Sequence, residues 1–275
     1  MKIATIRRNP ANSPNMANSD AAILQRVEEM LAAMGHAVQQ VSEDDTVAAD
    51  VQVVCHMSRT NATLQMLHEA EERGCIVLNS TSAIKKCSRL EQMTALQACG
   101  IKQPEFRHIT DAKELRSVAY PGWLKKSSGW ADNSGDVCYT TDSTQATKAF
   151  AQIKERGCTS AVYCQHIIGD IVKFYGIEGG FFSFHYPNPD CTKFGLEKIN
   201  GTSQGYPFNP EELKSTAFKA AAAIGLAIFG GDGIITPQGD IYIIDINDFP
   251  SFSAVRETAA EQIAKLAVSK KEIKK

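Results

Sequence analysis

The chain has 275 residues, 43% of them hydrophobic and 22% charged, and its formal net charge is −2. That length and apolar content support a sizeable core shared by two or three subdomains. The near-neutral balance shows no basic stripe and argues against nucleic-acid binding, and the longest apolar run, residues 220–229, is too short to cross a bilayer.

Residues 1–80 alternate strand and helix signals. Strands are predicted at 2–6, 38–41, 51–55 and 75–78. Between them, Ile23, Leu24, Val27, Met30, Leu31 and Met34 form a helical stripe that Asp20 can cap and Gly35 ends; a second helix spans about 62–73. Strands alternating with helices imply a parallel sheet with helices on its faces. Ser88-Arg89-Leu90-Glu91 has the form of a capping box opening a helix that Gly100 ends. Residues 106–165 read as a small α/β unit. It has strands at 123–126, 137–140 and 161–168, a helix at about 144–156, and a Gly/Ser-rich loop, SSGWADNSGD, at 127–136. Asn209-Pro210-Glu211-Glu212 is a strong helix start, and that helix runs to about Ile224. Pro187 and Pro189 mark an exposed loop, and the Lys-rich end, 270–275, is expected to fray.

The sequence GGDGIITPQGDIYIIDINDFPSF, 230–252, reads as a β-hairpin turning near Gln238 and Gly239. Strand alternation places Asp245 and Asn247 on one face, roughly 7 Å apart, and the hairpin can bring Asp232 across from Asp245. Two carboxylates and a carboxamide suit Mg²⁺ or Mn²⁺. By spacing alone they suit the solvent face of a hairpin equally well.

Eight cysteines lie mostly in apolar runs, none as C-x-x-C, and read as buried thiols of a reducing compartment. The first residues lack the apolar core of a signal peptide. Together these features give a cytoplasmic expectation. The six histidines show no metal-ligand spacing. No Walker A sequence and no G-x-G-x-x-G is present. Lys125-Lys126 ends a strand just before the Gly/Ser loop, and only one of the two can face a cleft. A lysine there can neutralise phosphate charge, or simply end a strand. The loop Arg7–Asn15 follows the first strand, where open α/β sheets bind ligands, so Arg7 or Arg8 is placed to receive an anion.

In order, four segments resemble the ATP-grasp superfamily: NSTSAIKKCSRLEQMTALQACGIKQPEF (79–106), YPGWLKKSSGW (120–130), VYCQHIIGDIVKFYGI (162–177) and the hairpin. The resemblance covers nearly the whole chain. It implies an α/β ATP-grasp fold. The N-terminal Rossmann-like domain would span 1–84, a linker helix 85–105, a small lid 106–165, and a C-terminal antiparallel-sheet subdomain 166–275. It implies ATP with Mg²⁺ or Mn²⁺ as cofactors, and Asp232, Asp245 and Asn247 as metal ligands. Lys125, Arg89, Ser127, Gln165, His166, Ile168 and Asp170 would hold the nucleotide, with Asp170 on the ribose and the backbone of 166–168 on the adenine. Lys173 would meet a phosphate or an anionic substrate in the cleft.

The activity implied is that of a carboxylate–amine ligase similar to the glutathione-synthetase and RimK-like branch. DIVKFYGI and DINDFPSF also resemble the inositol-polyphosphate kinases, so a kinase acting on a polyol is the alternative, and a non-catalytic nucleotide-binding protein is a third reading. Many ligases of the superfamily carry Arg two residues before the first metal Asp. This chain has Gly230 there, which leaves Arg256 as the candidate replacement. The partner expected is a small-molecule carboxylate or polyol, without nucleic acid or membrane; a homodimer stays open.

Overall fold

The structure is a computed structural model describing residues 1–13, 15–131, 133–187 and 195–273. Pro189 and Cys191 lie outside the described residues, as do Pro14 and Asp132 of the two loops above.

Strands β1 (Lys2–Ile6), β2 (Ala37–Gln40), β3 (Val53–His56) and β4 (Ile76–Leu78) form a parallel sheet in the order β2-β1-β3-β4. Helices α1 (Ala17–Ala33) and α2 (Asn61–Glu72) connect them. The α1 stripe is buried as its period requires: Ile23, Leu24, Val27 and Leu31 are fully covered. Asp20 does not cap this helix. The helix begins three residues earlier at Ala17, and the Asp20 carboxylate instead accepts from Arg8 at 2.9 Å and Ser13 at 2.6 Å.

A short helix α3 (Thr81–Lys85), absent from the sequence expectation, precedes α4 (Arg89–Ala98). Ser88 is the N-cap residue of α4, but its side chain makes no capping bond. The Leu90 amide in the first turn donates to the Ser127 carbonyl, 3.1 Å away, so a neighbouring strand end takes over part of the capping.

The second sheet, in the order β5-β8-β6-β7, comprises β5 (Phe106–Ile109), β6 (Gly122–Lys126), β7 (Val137–Thr140) and β8 (Ala161–Gln165). Helix α5 (Ser143–Glu155) covers it with Ala146, Ala149, Phe150 and Ile153. The Asp142 side chain caps α5 by accepting from two amides, a contribution of about 1 kcal/mol.

The third sheet is antiparallel, in the order β10-β9-β11-β12: β9 (Asp170–Ile177), β10 (Phe181–His185), β11 (Ile228–Ile235) and β12 (Ile241–Asp248). Helix α6 (Pro210–Ile224), capped by Asn209, packs Leu213, Ala217 and Ala221 against Phe174, Phe229 and Ile243 of this sheet. Burying each large apolar side chain contributes about 2–3 kcal/mol.

The final helix α7 (Arg256–Ile273) returns to the first sheet. Its Ala260, Ile263 and Ala267 share one core with Ile23, Val27 and Leu31 of α1 and with Tyr175, Phe249 and Phe252. Residues 270–273, expected to fray, are therefore helical. Asn79 fastens the same junction. Its amide donates to the Ile228 carbonyl at 2.7 Å and accepts from the Ala227 and Ile228 amides at 2.8 Å. No helix among the described residues is long and apolar enough to cross a membrane.

Candidate functional site

A cleft of about 570 Å³ opens where the three sheets meet, within the usual range for small-molecule sites. The hairpin β11–β12 forms its floor. Asp232 and Asp245 are register partners there, and Asn247 lies two residues further along the same face. The Asn247 amide donates to Asp245 Oδ2 at 3.4 Å. The expected placement of these three side chains on one face of the hairpin therefore matches the geometry.

Cations surround the two carboxylates. Arg89, at the start of α4, donates to Asp245 at 2.7 Å. Lys173, on β9 opposite Asp232, lies 2.8 Å from Asp232 Oδ1 and 3.2 Å from Glu197. Burial opposes the charge of Asp245, but Arg89 and Lys125 more than offset it and hold this carboxyl below its ordinary range. Asp232 is pushed up, by burial first and then by the facing Asp245 charge, despite its bond to Lys173. Lys173 is raised because Asp232 and Glu197 outweigh its own burial. The two partners rise for different reasons: burial and the facing Asp245 favour the neutral form of Asp232, whereas the nearby carboxylates favour the charged form of Lys173.

Lys125 behaves differently. Alternation on β6 turns it into the cleft and sends Lys126 towards Asp136, 3.7 Å away, which decides between the two lysines. Lys125 is only 9% exposed. No side chain among the described residues pairs with its ammonium. Burial, with Arg89 nearby, pushes it below the ordinary lysine range.

The remaining nucleotide-site expectations divide. Gln165 ends β8 and lines the cleft. His166 does not: its ring packs beside Trp123 and Tyr139, its Nδ1 accepts from the Trp123 indole at 3.1 Å, and its amide donates to the Pro121 carbonyl. Ile168, expected to contribute its backbone, is not among the residues lining the cleft and is 72% exposed. Ser127 is buried on the opposite face, where its hydroxyl meets the Ser160 carbonyl at 2.9 Å. Asp170 is buried, and its carboxylate accepts from the amides of Gln204, Gly205 and Tyr206 at 2.7–3.0 Å. Its oxygens are engaged by a loop and it does not line the cleft, where a ribose contact was expected. Arg256 opens α7, which packs on the first sheet, and it lies outside the cleft wall.

Arg8 and Arg59 supply guanidinium groups to the cleft instead. Both converge on Asp248, whose carboxylate is almost fully buried. Arg59 donates through Nε at 3.1 Å and through Nη2 at 2.5 Å, and Arg8 lies 3.4 Å away. Trp130 of the loop after β6 joins them, with its ring under Arg59 at 4.8 Å. Of these, only Arg8 was anticipated. The rule that selects the loop after β1 applies equally to the loop after β3, where Arg59 sits. Asp248 gives no such signal, because strand alternation assigns it to the face opposite Asn247.

The donor set suits a hard divalent cation only in part. Among the described residues no group of three or more His, Cys, Asp or Glu side chains could hold a metal ion. Two facing carboxylates and an amide suit Mg²⁺ when phosphate oxygens and water complete the shell.

No protein-family model matches the chain, and no curated protein matches it. Solved structures do. The chain is 17% identical to a RimK-domain ATP-grasp protein from Sphaerobacter thermophilus, with a TM-score of 0.70 over 98% of this chain and 100% of that one. It is 12% identical to the D-alanine–D-alanine ligase of Coxiella burnetii, with a TM-score of 0.73 over 100% and 97%. It is also 12% identical to the ATP complex of the Bacillus anthracis D-alanine–D-alanine ligase, with a TM-score of 0.73 over the full length of both chains. The chain has the ATP-grasp fold. Lys125 of the second sheet and the Asp232–Asp245 pair of β11–β12 line the same cleft of this fold.

Proposed function

We propose that this chain is an ATP- and Mg²⁺-dependent ligase that joins a carboxylate to an amine through an acyl phosphate, releasing ADP and phosphate. The observation that carries the reading is Lys125. A lysine this buried, with no side-chain partner among the described residues, beside an arginine and two facing carboxylates, is costly unless an anion joins it. A polyphosphate supplies that anion. Lys125 and Arg89 would neutralise the phosphate chain, and Gln165 would border the base at the end of β8. Asp232, Asp245 and Asn247 would hold Mg²⁺, whose chemistry there is to offset charge as the γ-phosphoryl group leaves. The lid loop, already resting on Asp248 through Trp130, would keep water from the acyl phosphate. Position and charge neutralisation account for the catalysis, without a protein nucleophile.

One observation favours a second reading, phosphoryl transfer to a polyol. A Cβ on Gly230 would lie 2.9 Å from Pro250 Cγ, so the position where many ligases carry an arginine has no room for a side chain. Products decide between the two. The chain is offered a metabolite library with ATP and Mg²⁺, and masses are followed. Amide formation with free phosphate supports the ligase, and a phosphorylated acceptor supports the kinase. Lys125→Met should weaken binding of a non-hydrolysable ATP analogue roughly tenfold or more. Unchanged affinity would refute the role of Lys125.

A further inference from the structure

The cleft treats anions and cations unequally. An entering phosphate finds the Lys125 ammonium without a competing carboxylate partner among the described residues. An entering divalent cation finds both hairpin carboxylates occupied, Asp245 by Arg89 at 2.7 Å and Asp232 by Lys173 at 2.8 Å. The Arg89 side chain is 12% exposed and that of Lys173 is 26% exposed. Displacing either one breaks a largely buried ion pair, which is strongly unfavourable. For Lys173 the penalty is softened by Glu197, at 3.2 Å on its other side. Arg89 has no second carboxylate partner among the described residues.

A polyphosphate changes this balance. It offers Arg89 and Lys173, which line the same cleft as Lys125, a new anionic partner, and guanidinium binds phosphate as readily as carboxylate. We propose that Arg89 and Lys173 are built-in counter-ions that close the Asp232–Asp245 pair to divalent cations until a nucleotide polyphosphate draws them away. The metal site is then completed by the nucleotide in two senses: phosphate oxygens fill the shell, and phosphate charge releases the protein ligands. By linkage, metal and nucleotide strengthen one another by the same factor. Arg89 is the stronger gate, because it lacks the alternative partner that Lys173 has. The proposal rests on the reading of the cleft as a metal–nucleotide site.

The test uses Mn²⁺ alone, followed by the paramagnetic resonance of the free ion and by calorimetry, on the full chain. The wild type should show no binding up to roughly 1 mM. Arg89→Met should bind Mn²⁺ without nucleotide, on the order of tenfold or more tighter, and Lys173→Met should gain less. Thermal melts establish that each variant is folded; should one fail to fold, the other carries the test. Wild-type binding of Mn²⁺ alone as tight as in the variants would overturn the proposal, and so would folded variants that gain nothing. A separate titration with a non-hydrolysable ATP analogue and Mg²⁺ tests the underlying site. Absence of binding there would overturn the nucleotide reading itself, whereas binding there with no gain in the variants would overturn only the counter-ion gate.

Discussion

The indole Nε1 of Trp130 donates to Oδ1 of Asp248 at 3.1 Å, joining the loop after β6 to the end of β12. Arg59 of the first domain lies over the same indole ring at 4.8 Å. Three parts of the chain therefore meet at one side chain. Trp130→Phe keeps an aromatic face for Arg59 but removes the N–H. Asp248 retains both arginines, so the expected cost is near the lower end of a buried hydrogen bond, about 1 kcal/mol. Trp130→Ala also removes the cation–π contact, adding up to about 2 kcal/mol. The measurement is protease cleavage within residues 127–136, with Trp130→Ala cut fastest. Equal resistance in all three proteins would mean that Trp130 does not hold the loop.

Asp248 gives the pH dependence a definite sign. Burial opposes its charge, but Arg59 and then Arg8 more than offset it, so its native pKa lies below the ordinary aspartate value. The unfolded chain then binds the proton more readily than the native one. The stabilisation is fully present above about pH 4 and is lost as pH falls through the lower native value. Asp248→Asn leaves two buried guanidinium groups without a counter-charge, for an expected loss of about 3–5 kcal/mol at pH 7. Urea unfolding of both proteins at pH 7 and pH 3 checks this. The gap should narrow at the lower pH, and a gap of constant size would show that the Asp248 charge is not its source.

The sequence made legible the features that depend on local pattern and chain order. Strand periodicity places Asp245 and Asn247 on one face of the β11–β12 hairpin, although a register shift between Asp232 and Gly233, which skips Ile244, is what sets Asp232 against Asp245, and the alternation of β6 limits the cleft-facing lysine to one of two. Features decided by competition for a side chain were not legible. Ser88 has the right neighbours for a capping box, yet the Leu90 amide turns to Ser127, a strand end from another unit. Arg256 follows the hairpin closely, but α7 has an apolar face that must return to α1, and it carries the residue away from the cleft. Arg59 and Asp248 are 189 residues apart in sequence, and no local rule pairs them.

Asp170 offers a direct check on one such correction. Its carboxylate accepts from three successive backbone amides, Gln204, Gly205 and Tyr206, and so orders the segment leading into α6. Asp170→Ala strands those donors and should cost about 1–3 kcal/mol. Asp170→Asn keeps one oxygen acceptor and should cost less. A structural anchor predicts lower stability with nearly unchanged affinity for an ATP analogue once the protein is folded. A ribose contact predicts the opposite pattern, and calorimetry alongside thermal melts separates them.

Gly230 and Pro250 make the last prediction, and it bears on the reaction. A Cβ at position 230 would lie 2.9 Å from Pro250 Cγ, 3.1 Å from Pro250 Cβ and 3.2 Å from the Phe174 carbonyl. A proline ring cannot swing aside as a flexible chain end can, so Gly230→Ala should cost about 1–3 kcal/mol. Pro250→Ala removes the nearest atom but leaves the Cβ and the carbonyl, so the double variant should recover part of that loss. The pair should couple by at least about 0.5 kcal/mol in a double-mutant cycle. Strict additivity would show that the ring is not the obstacle. Because the ring is rigid, Gly230→Arg should destabilise the chain more than Gly230→Ala does, and it should not improve amide formation. A stable Gly230→Arg protein with higher ligase activity would mean that the hairpin can accept a cation there, and it would remove the observation that favours phosphoryl transfer to a polyol.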